Sequence, residues 1–237
     1  MKHISLPDTV GQQRLSFYLA MEEYVALRQD KPDAFFLWQV PPSVIFGRNQ
    51  SLGNEVNTDY CRVNGIEMYR RKSGGGCVYA DMGNVMLSYV SQEENVNLAF
   101  YTFINMILLV LRKMGIEAVS TAHNDVLIGG KKVSGAACYH LPGRSIVHST
   151  LLYDTNMQHM LQAITPSAGK LSSKGIKSVR QRITLLHDYT EMSLEEVKSF
   201  IRDTLCTGEI ILTMDDVAEI KRIETSYLKN EFINLIQ

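Results

Sequence analysis

Two stretches of the chain carry apolar residues at helical spacing. Residues 11–28, "GQQRLSFYLAMEEYVALR", place Leu15, Leu19, Tyr24 and Leu27 on one face. The strongest pattern is residues 97–115, "NLAFYTFINMILLVLRKMG", in which Gly115 stands where a helix-ending glycine belongs. Weaker patterns predict the remaining helices near 54–64, 157–164, 193–205 and from about 215 onward. In the third of these, Ser193 and Glu196 have the spacing of an N-terminal capping box.

Short runs of β-branched and aromatic residues predict strands between these helices. The runs in the first half of the chain are 35–40, 43–47, 66–73, 77–82 and 85–91, in which apolar and polar residues alternate only partly. Residues 117–154 are strand-rich, with turns at Gly129-Gly130 and Pro142-Gly143 that are typical of antiparallel hairpins. The order of elements predicts one α+β domain over residues 1–237, with a central, mainly antiparallel or mixed sheet flanked by helices.

Composition narrows the class of protein. The 237 residues carry 24 Lys and Arg against 25 Asp and Glu, a balance that argues against a nucleic-acid binder. The four cysteines form no CxxC pair, which indicates reduced thiols in a cytosolic protein. The longest apolar run, 106–111, is far shorter than the roughly 20 residues of a membrane span, and the N-terminus lacks a signal peptide's apolar stretch. We therefore expect a soluble, cytoplasmic protein without a membrane partner.

The stretch "RRKSGGGCVYADMGN", residues 70–84, raises the first question of chemistry. Each glycine in a structured region costs about 0.5–1 kcal/mol of extra chain entropy, so three in a row need a reason. One reason is a turn with positive φ. The other is a backbone that approaches an anion or an acyl chain, with N–H groups directed at oxygens. The neighbouring cations favour the second interpretation, although the stretch matches neither a Walker loop nor a Rossmann fingerprint.

Three further stretches carry candidate residues, each with an ordinary structural alternative. In 131–150, Lys132 can place a point charge in a cleft or be a solvated hairpin lysine, and His148 can be a core histidine. In 123–128, Asn124-Asp125 can be a turn or can face a nucleotide or Mg²⁺. In 173–186, the basic residues can form a surface loop or a cover over phosphates. The six histidines show no metal-binding spacing, and no GxSxG elbow supports a Ser-His-Asp hydrolase.

Together, these stretches resemble the lipoate-protein ligase A family in order and spacing. The matching runs are "RRKSGGGCVYADMGN", "NDVLIGGKKVSGAA", "HSTLL" and "KGIKSVRQR", and the resemblance covers roughly residues 10–205. It implies a class II synthetase-like biotinyl/lipoyl-ligase catalytic domain. The implied reaction joins lipoate to ATP, with Mg²⁺, to give lipoyl-AMP, and then moves the lipoyl group to a lysine of a lipoyl domain. The implied acceptors are E2 subunits of 2-oxoacid dehydrogenases and the glycine cleavage H protein.

The resemblance also assigns roles to positions of this chain. Lys132 would contact the acyl carbonyl and phosphate oxygens, with Asp125 as an orienter or base. Asn84 and Asp125 would lie near phosphate and Mg²⁺, with no metal held by protein alone. Val78 and Tyr79 would border the adenine. The acyl pocket would involve Trp38, Phe46 and Arg48. The remaining positions implied to bind substrate or adenylate are Arg71, Ser73, Gly74, Gly75, Gly76, Asn124, Ser134, Gly135, Ala137, His148, Thr150, Lys174, Arg180 and Arg182.

The chain departs from the family pattern in four positions and in length. Ala80, His123, Val147 and Ser149 stand where other residues are common. The chain ends at residue 237, without the small C-terminal accessory domain of bipartite members, so we expect transfer from a preformed adenylate more firmly than adenylation by this chain alone. A separate accessory protein would be a further partner.

Two alternatives remain open. An octanoyl- or lipoyltransferase of the same fold would take its acyl group from a carrier protein through a cysteine thioester. Here His123 stands where the usual cysteine precedes Asn124, and Cys77 and Cys138 lie in strand-like runs that favour burial. The other alternative is a non-catalytic binder of acyl-adenylate.

Overall fold

An eight-stranded sheet forms the centre of the protein. The structure, a computed structural model, describes residues 1–28, 32–164 and 182–234. Within these residues the strand order of the large sheet is β11-β1-β2-β6-β10-β9-β8-β7. The strands are β1 (Lys2–Ser5), β2 (Ala34–Trp38), β6 (Asn84–Ser91), β7 (Val119–Ser120), β8 (Asp125–Ile128), β9 (Lys131–Leu141), β10 (Arg144–Leu152) and β11 (Glu209–Ile211).

The middle of the large sheet is antiparallel, as the hairpin turns predict. β10 pairs with β9 on one side and with β6 on the other, while β1 pairs in parallel with both of its neighbours. Every residue of β6 and of β10 is buried, because helices cover both faces of these strands. That two-sided burial explains why apolar and polar residues alternate only partly in their sequences.

A second, three-stranded sheet carries the glycine-rich stretch. It has the order β4-β3-β5, formed by β3 (Ser43–Phe46), β4 (Glu67–Arg70) and β5 (Cys77–Ala80). β3 is parallel to β4 and antiparallel to β5. Residues 71–76, which we call the glycine loop, therefore connect the two outer strands at one end of this sheet.

Helices pack on both faces of the large sheet and against the small sheet. They are α1 (Leu15–Leu27), α2 (Leu52–Glu55), α3 (Thr58–Val63), α4 (Val96–Lys113), α5 (Met157–Ala163), α6 (Leu194–Leu205), α7 (Met214–Tyr227) and α8 (Asn230–Ile233), with a 3-10 turn at Leu186–Tyr189. α1 and α7 share one buried cluster with the sheet, and α4 and α6 share a second on the opposite face. A cleft opens on the α1 side of the large sheet.

The helix ends match their sequence signals. Gly115 follows α4 with φ +79°, a conformation that glycine adopts readily. Ser193 and Glu196 form the predicted capping box at α6. α4 is long and apolar enough to cross a membrane by length and composition, but its residues Phe103, Ile107 and Leu111 pack against the sheet as in a core helix.

Some local predictions differ from the structure. The single helix expected over 54–64 is two short helices, since Val56 leaves the helical conformation to bridge to Ile164. The strand expected over 66–73 ends at Arg70, where the backbone turns into the glycine loop. Strands β1 and β11 are too short, and too exposed on one side, for a periodic signal.

Candidate functional site

A cleft of about 190 Å³ lies between the glycine loop and the large sheet. Its walls come from α1, from the small sheet with the glycine loop, and from five strands of the large sheet. The lining residues are Leu19, Trp38, Ile45, Arg71, Gly75, Gly76, Cys77, Val78, Met86, Asp125, Lys132, Gly135, Ala136, Ala137, His148, Ser149 and Thr150. The cleft thus brings together residues from three of the stretches singled out in the sequence: 70–84, 123–128 and 131–150.

One end of the cleft is apolar. Leu19, Trp38, Ile45, Val78 and Met86 contribute to it, and the sheet register places Trp38 directly beside Met86. The ring of Tyr18 stacks on Trp38 at a centroid distance of 4.8 Å, which fixes the indole plane. This end suits an aliphatic or other apolar group.

The glycine loop needs its shape because the chain at the end of β3 passes directly beneath it. The amide of Gly47 donates to the carbonyl of Gly76 at 3.1 Å, and the amide of Arg48 donates to that of Ser73 at 2.9 Å. A Cβ at Gly47 would lie 2.0 Å from the carbonyl oxygen of Gly75, so only glycine fits there. Gly75 itself has φ +89°, which satisfies the turn interpretation as well.

The three cations that flank the glycines face inward. Arg71 is buried, and its guanidinium donates to the carbonyls of Ile45, Gly74 and Gly76 at 2.7–3.1 Å. Burial lowers the pKa of Arg71 to about 10, so it keeps its charge at neutral pH. Arg70 also donates to backbone carbonyls, and Lys72 pairs with Glu23 at 2.6 Å. Arg71 thus holds the backbone of the glycine loop and also lines the cleft, whereas Arg70 and Lys72 have partners outside the cavity. That these cations present charge to an anion stays a prediction, and Arg71 is the one of the three that lines the cleft.

A β-bulge brings Lys132 to the cleft. The register between β8 and β9 shifts between Val126 and Leu127, which leaves Val133 as an extra residue. Residues three apart in a regular strand point to opposite faces, but across this bulge Lys132 and Gly135 share one face. Lys132 Nζ lies 2.7 Å from Asp125 Oδ1, and a Cβ at Gly135 would lie 2.5 Å from Nζ. Gly135 therefore leaves the space that the ion pair occupies.

The backbone of Lys132 is held on its other edge by the chain after residue 181. Its amide donates to the carbonyl of Arg182 at 2.7 Å, and its carbonyl accepts from the amide of Thr184 at 2.9 Å. This parallel bridge fixes the backbone from which the lysine side chain reaches the cleft. The Arg182 side chain is exposed and does not line the cleft.

His148 lines the cleft and belongs to a buried chain of hydrogen bonds that continues behind it. Its Nε2 lies 2.7 Å from Ser73 Oγ, and its Nδ1 lies 2.8 Å from Glu22 Oε2. Ser88 donates to Glu22 and accepts from the Trp38 indole N–H. The chain thus ties the glycine loop to the apolar end. Glu22 and Ser88 were not predicted; a carboxylate inside the apolar helix α1 was the signal available for Glu22.

Three predicted residues lie away from the lining. Phe46 is buried in another cluster under Arg70, whose guanidinium carbon is 4.8 Å from the ring centroid. Tyr79 points away because side chains alternate along β5, so Val78 faces the cleft and Tyr79 packs beside His159. The Asn84 amide donates to the carbonyl of Tyr79, and its Oδ1 has no partner among the described residues.

The other predicted positions form the frame of the cleft or lie outside the description. Arg48 is exposed, while Ser73 and Gly74 belong to the glycine loop without facing the cavity. Asn124 has φ +59° in the turn before β8, and Ser134 is buried next to the bulge. Lys174 and Arg180 lie outside the described residues. The lining residues Leu19, Ile45, Met86 and Ala136 carry no sequence signal that separates them from core residues.

The two cysteines near the cleft are poor nucleophiles. Burial raises the pKa of Cys77 to about 12 and that of Cys138 to about 11. Because the thiolate is the reactive form, both side chains are mainly unreactive thiols at neutral pH.

Fold and cleft together define an α+β domain with an apolar pocket that ends at a lysine–carboxylate pair. Among solved structures, the chain is similar to a bi-partite lipoate protein ligase from Thermoplasma acidophilum, with a TM-score of 0.84, 25% identity and coverage of 100% of this chain and 97% of that chain. It also has the fold of a lipoate-protein ligase A bound with ATP, with a TM-score of 0.80, 24% identity and coverage of 99% of each chain.

The sequence comparison gives the family. The family model described as the lipoyl protein ligase A/B catalytic domain matches residues 15–206, and the chain belongs to this family. It is 36% identical over 187 residues to lipoate-protein ligase LplJ of Bacillus subtilis, covering 77% of this chain and 56% of that protein. It is 33% identical over 213 residues to lipoate-protein ligase 1 of Staphylococcus aureus, covering 86% of this chain and 65% of that protein. The chain thus spans between about half and two thirds of the length of these relatives.

Proposed function

We propose that this protein is a lipoate-protein ligase that activates lipoate as lipoyl-AMP and transfers the lipoyl group to a lysine of a lipoyl domain. The observation that carries the proposal is Lys132, held beside Asp125 where the apolar cleft meets the glycine loop. The relatives from B. subtilis and S. aureus are named as ligases of this type, which supports the same substrate here.

In the activation step, a carboxylate oxygen of lipoate attacks the α-phosphorus of ATP. A P–O bond forms, and pyrophosphate leaves with the electron pair of the broken bond. The apolar residues Trp38 and Met86 receive the tail, and the backbone of the glycine loop approaches the carboxyl end. Lys132 neutralises the negative charge that gathers where the acyl and phosphate oxygens meet.

In the transfer step, the neutral amine of the acceptor lysine attacks the acyl carbonyl carbon. A C–N bond forms, the C–O bond to AMP breaks, AMP leaves with the electron pair of that bond, and the proton lost by the amine passes to solvent. Lys132 stabilises the oxyanion of the tetrahedral intermediate without proton transfer. Asp125 orients Lys132 before the acyl group arrives.

We propose that Mg²⁺ acts as an ion held mainly by ATP phosphates. Asp125 is the carboxylate of the cleft lining, and no group of three metal-binding side chains occurs among residues 1–28, 32–164 and 182–234. Mg²⁺ commonly binds through one or two carboxylates plus substrate phosphates, and it would supply charge neutralisation there. Asn84 is fully buried and does not line the cleft, so Asp125 is the residue that we assign to the ion.

The partners follow from the transfer step. We propose lipoyl domains of E2 subunits and the glycine cleavage H protein as acceptors, in the cytoplasm. The similar T. acidophilum protein is a bi-partite ligase described together with its E2 lipoyl domain. A separate accessory protein is the corresponding proposal for activation.

A donor comparison tests the function. The pure chain is incubated with an apo lipoyl domain and one of three donors: lipoate with Mg-ATP, synthetic lipoyl-AMP, or octanoyl carrier protein. Intact-mass measurement of the lipoyl domain should show product with lipoyl-AMP. Product only from the carrier protein would contradict the ligase, and no product from any donor would favour the non-catalytic binder.

A further inference from the structure

Arg70 stands out among the buried charged residues because its guanidinium donates to two separate segments of backbone. It ends β4 and is 1% exposed. Nη1 donates to the carbonyls of Arg48 and Gln50 at 2.7 and 2.8 Å. Nε and Nη2 donate to the carbonyl of Ile233, the last residue of α8, at 3.2 and 3.1 Å.

The first of these segments is the one that supports the glycine loop. The amides of Gly47 and Arg48 donate to the carbonyls of Gly76 and Ser73, and Gln50 Nε2 lies 3.3 Å from the carbonyl of Gly75. Residues 47–50 are therefore fastened to Arg70 through their carbonyls and to the glycine loop through their N–H groups. A movement of 47–50 would move the loop with it.

The second segment, α8, lies outside the cleft. Ile233 packs at the margin of the cluster that contains Phe46, and the ring of Phe232 packs edge-on against Tyr227 at a centroid distance of 5.8 Å. With four residues, α8 is too short to be stable by its own helical hydrogen bonds, so its place depends on such contacts.

We infer that Arg70 is a positioning residue: it fastens α8 to residues 47–50 and so holds the glycine loop in the conformation that receives the acyl-adenylate. Hydrogen bonds from a charged donor are stronger than neutral ones, and a planar fork can serve two segments at once in a way that an ammonium group cannot. The identity of the ligand rests on the proposed function, whereas the fastening of α8 to the loop does not.

The consequence is that α8 influences ligand binding although it does not touch the cleft. Loosening α8 removes the Ile233 carbonyl from Nε and Nη2 of Arg70, so the guanidinium is oriented less firmly towards residues 47–50. Any change that displaces α8 should therefore loosen the glycine loop, and the effect should pass through Arg70.

A double-mutant cycle in the chain of residues 1–237 tests this inference. Arg70→Lys keeps the charge but loses the fork, and Phe232→Ala loosens α8 at a half-buried contact. Binding of a non-hydrolysable acyl-sulfamate analogue of lipoyl-AMP is measured by calorimetry. Amide exchange at Gly47 and Arg48 is measured without ligand. Arg62→Lys, on the exposed surface of α3, is the matched control.

We expect Arg70→Lys to weaken analogue binding roughly tenfold and to speed exchange at both amides. Phe232→Ala should change both readouts in the same direction, and the double variant should be no worse than Arg70→Lys alone, because the two changes break one connection. Arg62→Lys should match the wild type. Additive losses, or unchanged exchange at Gly47 and Arg48 in either single variant, would overturn the inference.

Two outcomes separate this inference from the proposed function. If Arg70→Lys does not fold, exchange in Phe232→Ala decides: faster exchange at the two amides supports the connection, and unchanged exchange overturns it. If the wild type binds no analogue and makes no product, the proposed function fails, while the ligand-free exchange still decides the role of Arg70.

Discussion

At the scale of single residues, the proposed chemistry depends first on Lys132. Its position results from three local features: the bulge at Val133, the missing side chain at Gly135 and the ion pair with Asp125. The motif in the sequence identified the lysine but not the bulge, since an extra residue in a strand has no periodic signature. The stereochemistry of the sheet then explains why a glycine follows three residues later.

Lys132→Ala should lower the rate of transfer from lipoyl-AMP by about 10²–10³, because one donor to the developing oxyanion is lost. Single-turnover transfer to an apo lipoyl domain measures the rate. Lys131→Ala, an exposed lysine one residue away, is the matched control and should remain close to the wild type. Near-normal rates in Lys132→Ala, with the same unfolding midpoint, would mean that this lysine does not contact the acyl group.

The cysteines lead to a second prediction at this scale. Because burial raises the pKa of Cys77 and of Cys138, no acyl-thioester should form on either. Intact mass after incubation with an octanoyl carrier protein should equal that of the free chain, and Cys138→Ser should transfer from lipoyl-AMP at close to the normal rate. An acyl adduct mapped to either cysteine would support the thioester route instead.

At the scale of elements, the glycine loop and the end of β3 act as one unit. The loop was recognised in the sequence by its three glycines, but Gly47, which lies under it, was not. A glycine at the end of an apolar strand resembles any turn residue, and only the paired backbone reveals the close approach. The sequence also could not predict that Arg70, Arg71 and Lys72 point inward. It shows that these side chains are charged but not which groups surround them in the fold.

Gly47→Ala should displace the glycine loop, since the new Cβ would lie 2.0 Å from the Gly75 carbonyl oxygen. We expect a loss of about 1–3 kcal/mol in the free energy of unfolding, together with weaker binding of the adenylate analogue. Urea unfolding and calorimetry measure these two effects.

Gly53→Ala provides the control for that substitution, because a Cβ added at Gly53 would meet no atom within 4 Å and alanine favours a helix. Its stability and affinity should equal or slightly exceed those of the wild type. Equal behaviour of the two alanine variants would contradict the close approach of Gly47 to the loop.

At the scale of the whole molecule, helices from the two ends of the chain pack together through charged groups. Asp216 of α7 accepts a hydrogen bond from Tyr24 of α1 and pairs with Arg28 at 3.0 Å. Burial alone would raise the pKa of Asp216, but hydrogen bonds from Tyr24 and Thr213 and the charge of Arg28 outweigh it and lower the pKa from 3.8 to about 2.

A carboxylate with a lowered pKa stabilises the fold above its unfolded-state pKa and ceases to do so as pH falls through its folded-state pKa. Asp216→Asn should therefore be less stable than the wild type at neutral pH. The difference in the free energy of unfolding should shrink as pH falls from 3.8 towards 2.

Urea unfolding over this pH range measures the effect. Asp215→Asn, which removes an exposed carboxylate one residue away, is the matched control. The same convergence in both variants would show that Asp216 has no special contribution.

Most of the architecture could be predicted from the sequence, but the pairing of the outer strands and the apolar end of the cleft could not. The long helices, the hairpins of β8 to β10 and the capping box at α6 have local signals, and these are confirmed. The pairing of β1 with β11 joins residues about 200 positions apart, and the apolar end of the cleft consists of residues that look like ordinary core. Both depend on tertiary packing, so no pattern of residues along the chain predicts them.

The cleft between the glycine loop and β9 is the site that we propose for an acyl chain joined to AMP. A crystal structure with the acyl-sulfamate analogue of lipoyl-AMP tests this proposal most directly. We expect the acyl tail against Trp38 and Met86, the carbonyl within hydrogen-bonding distance of Lys132 Nζ, and the adenylate along Gly75 and Gly76. Density for the analogue elsewhere, or with its carbonyl remote from Lys132, would contradict the proposed site.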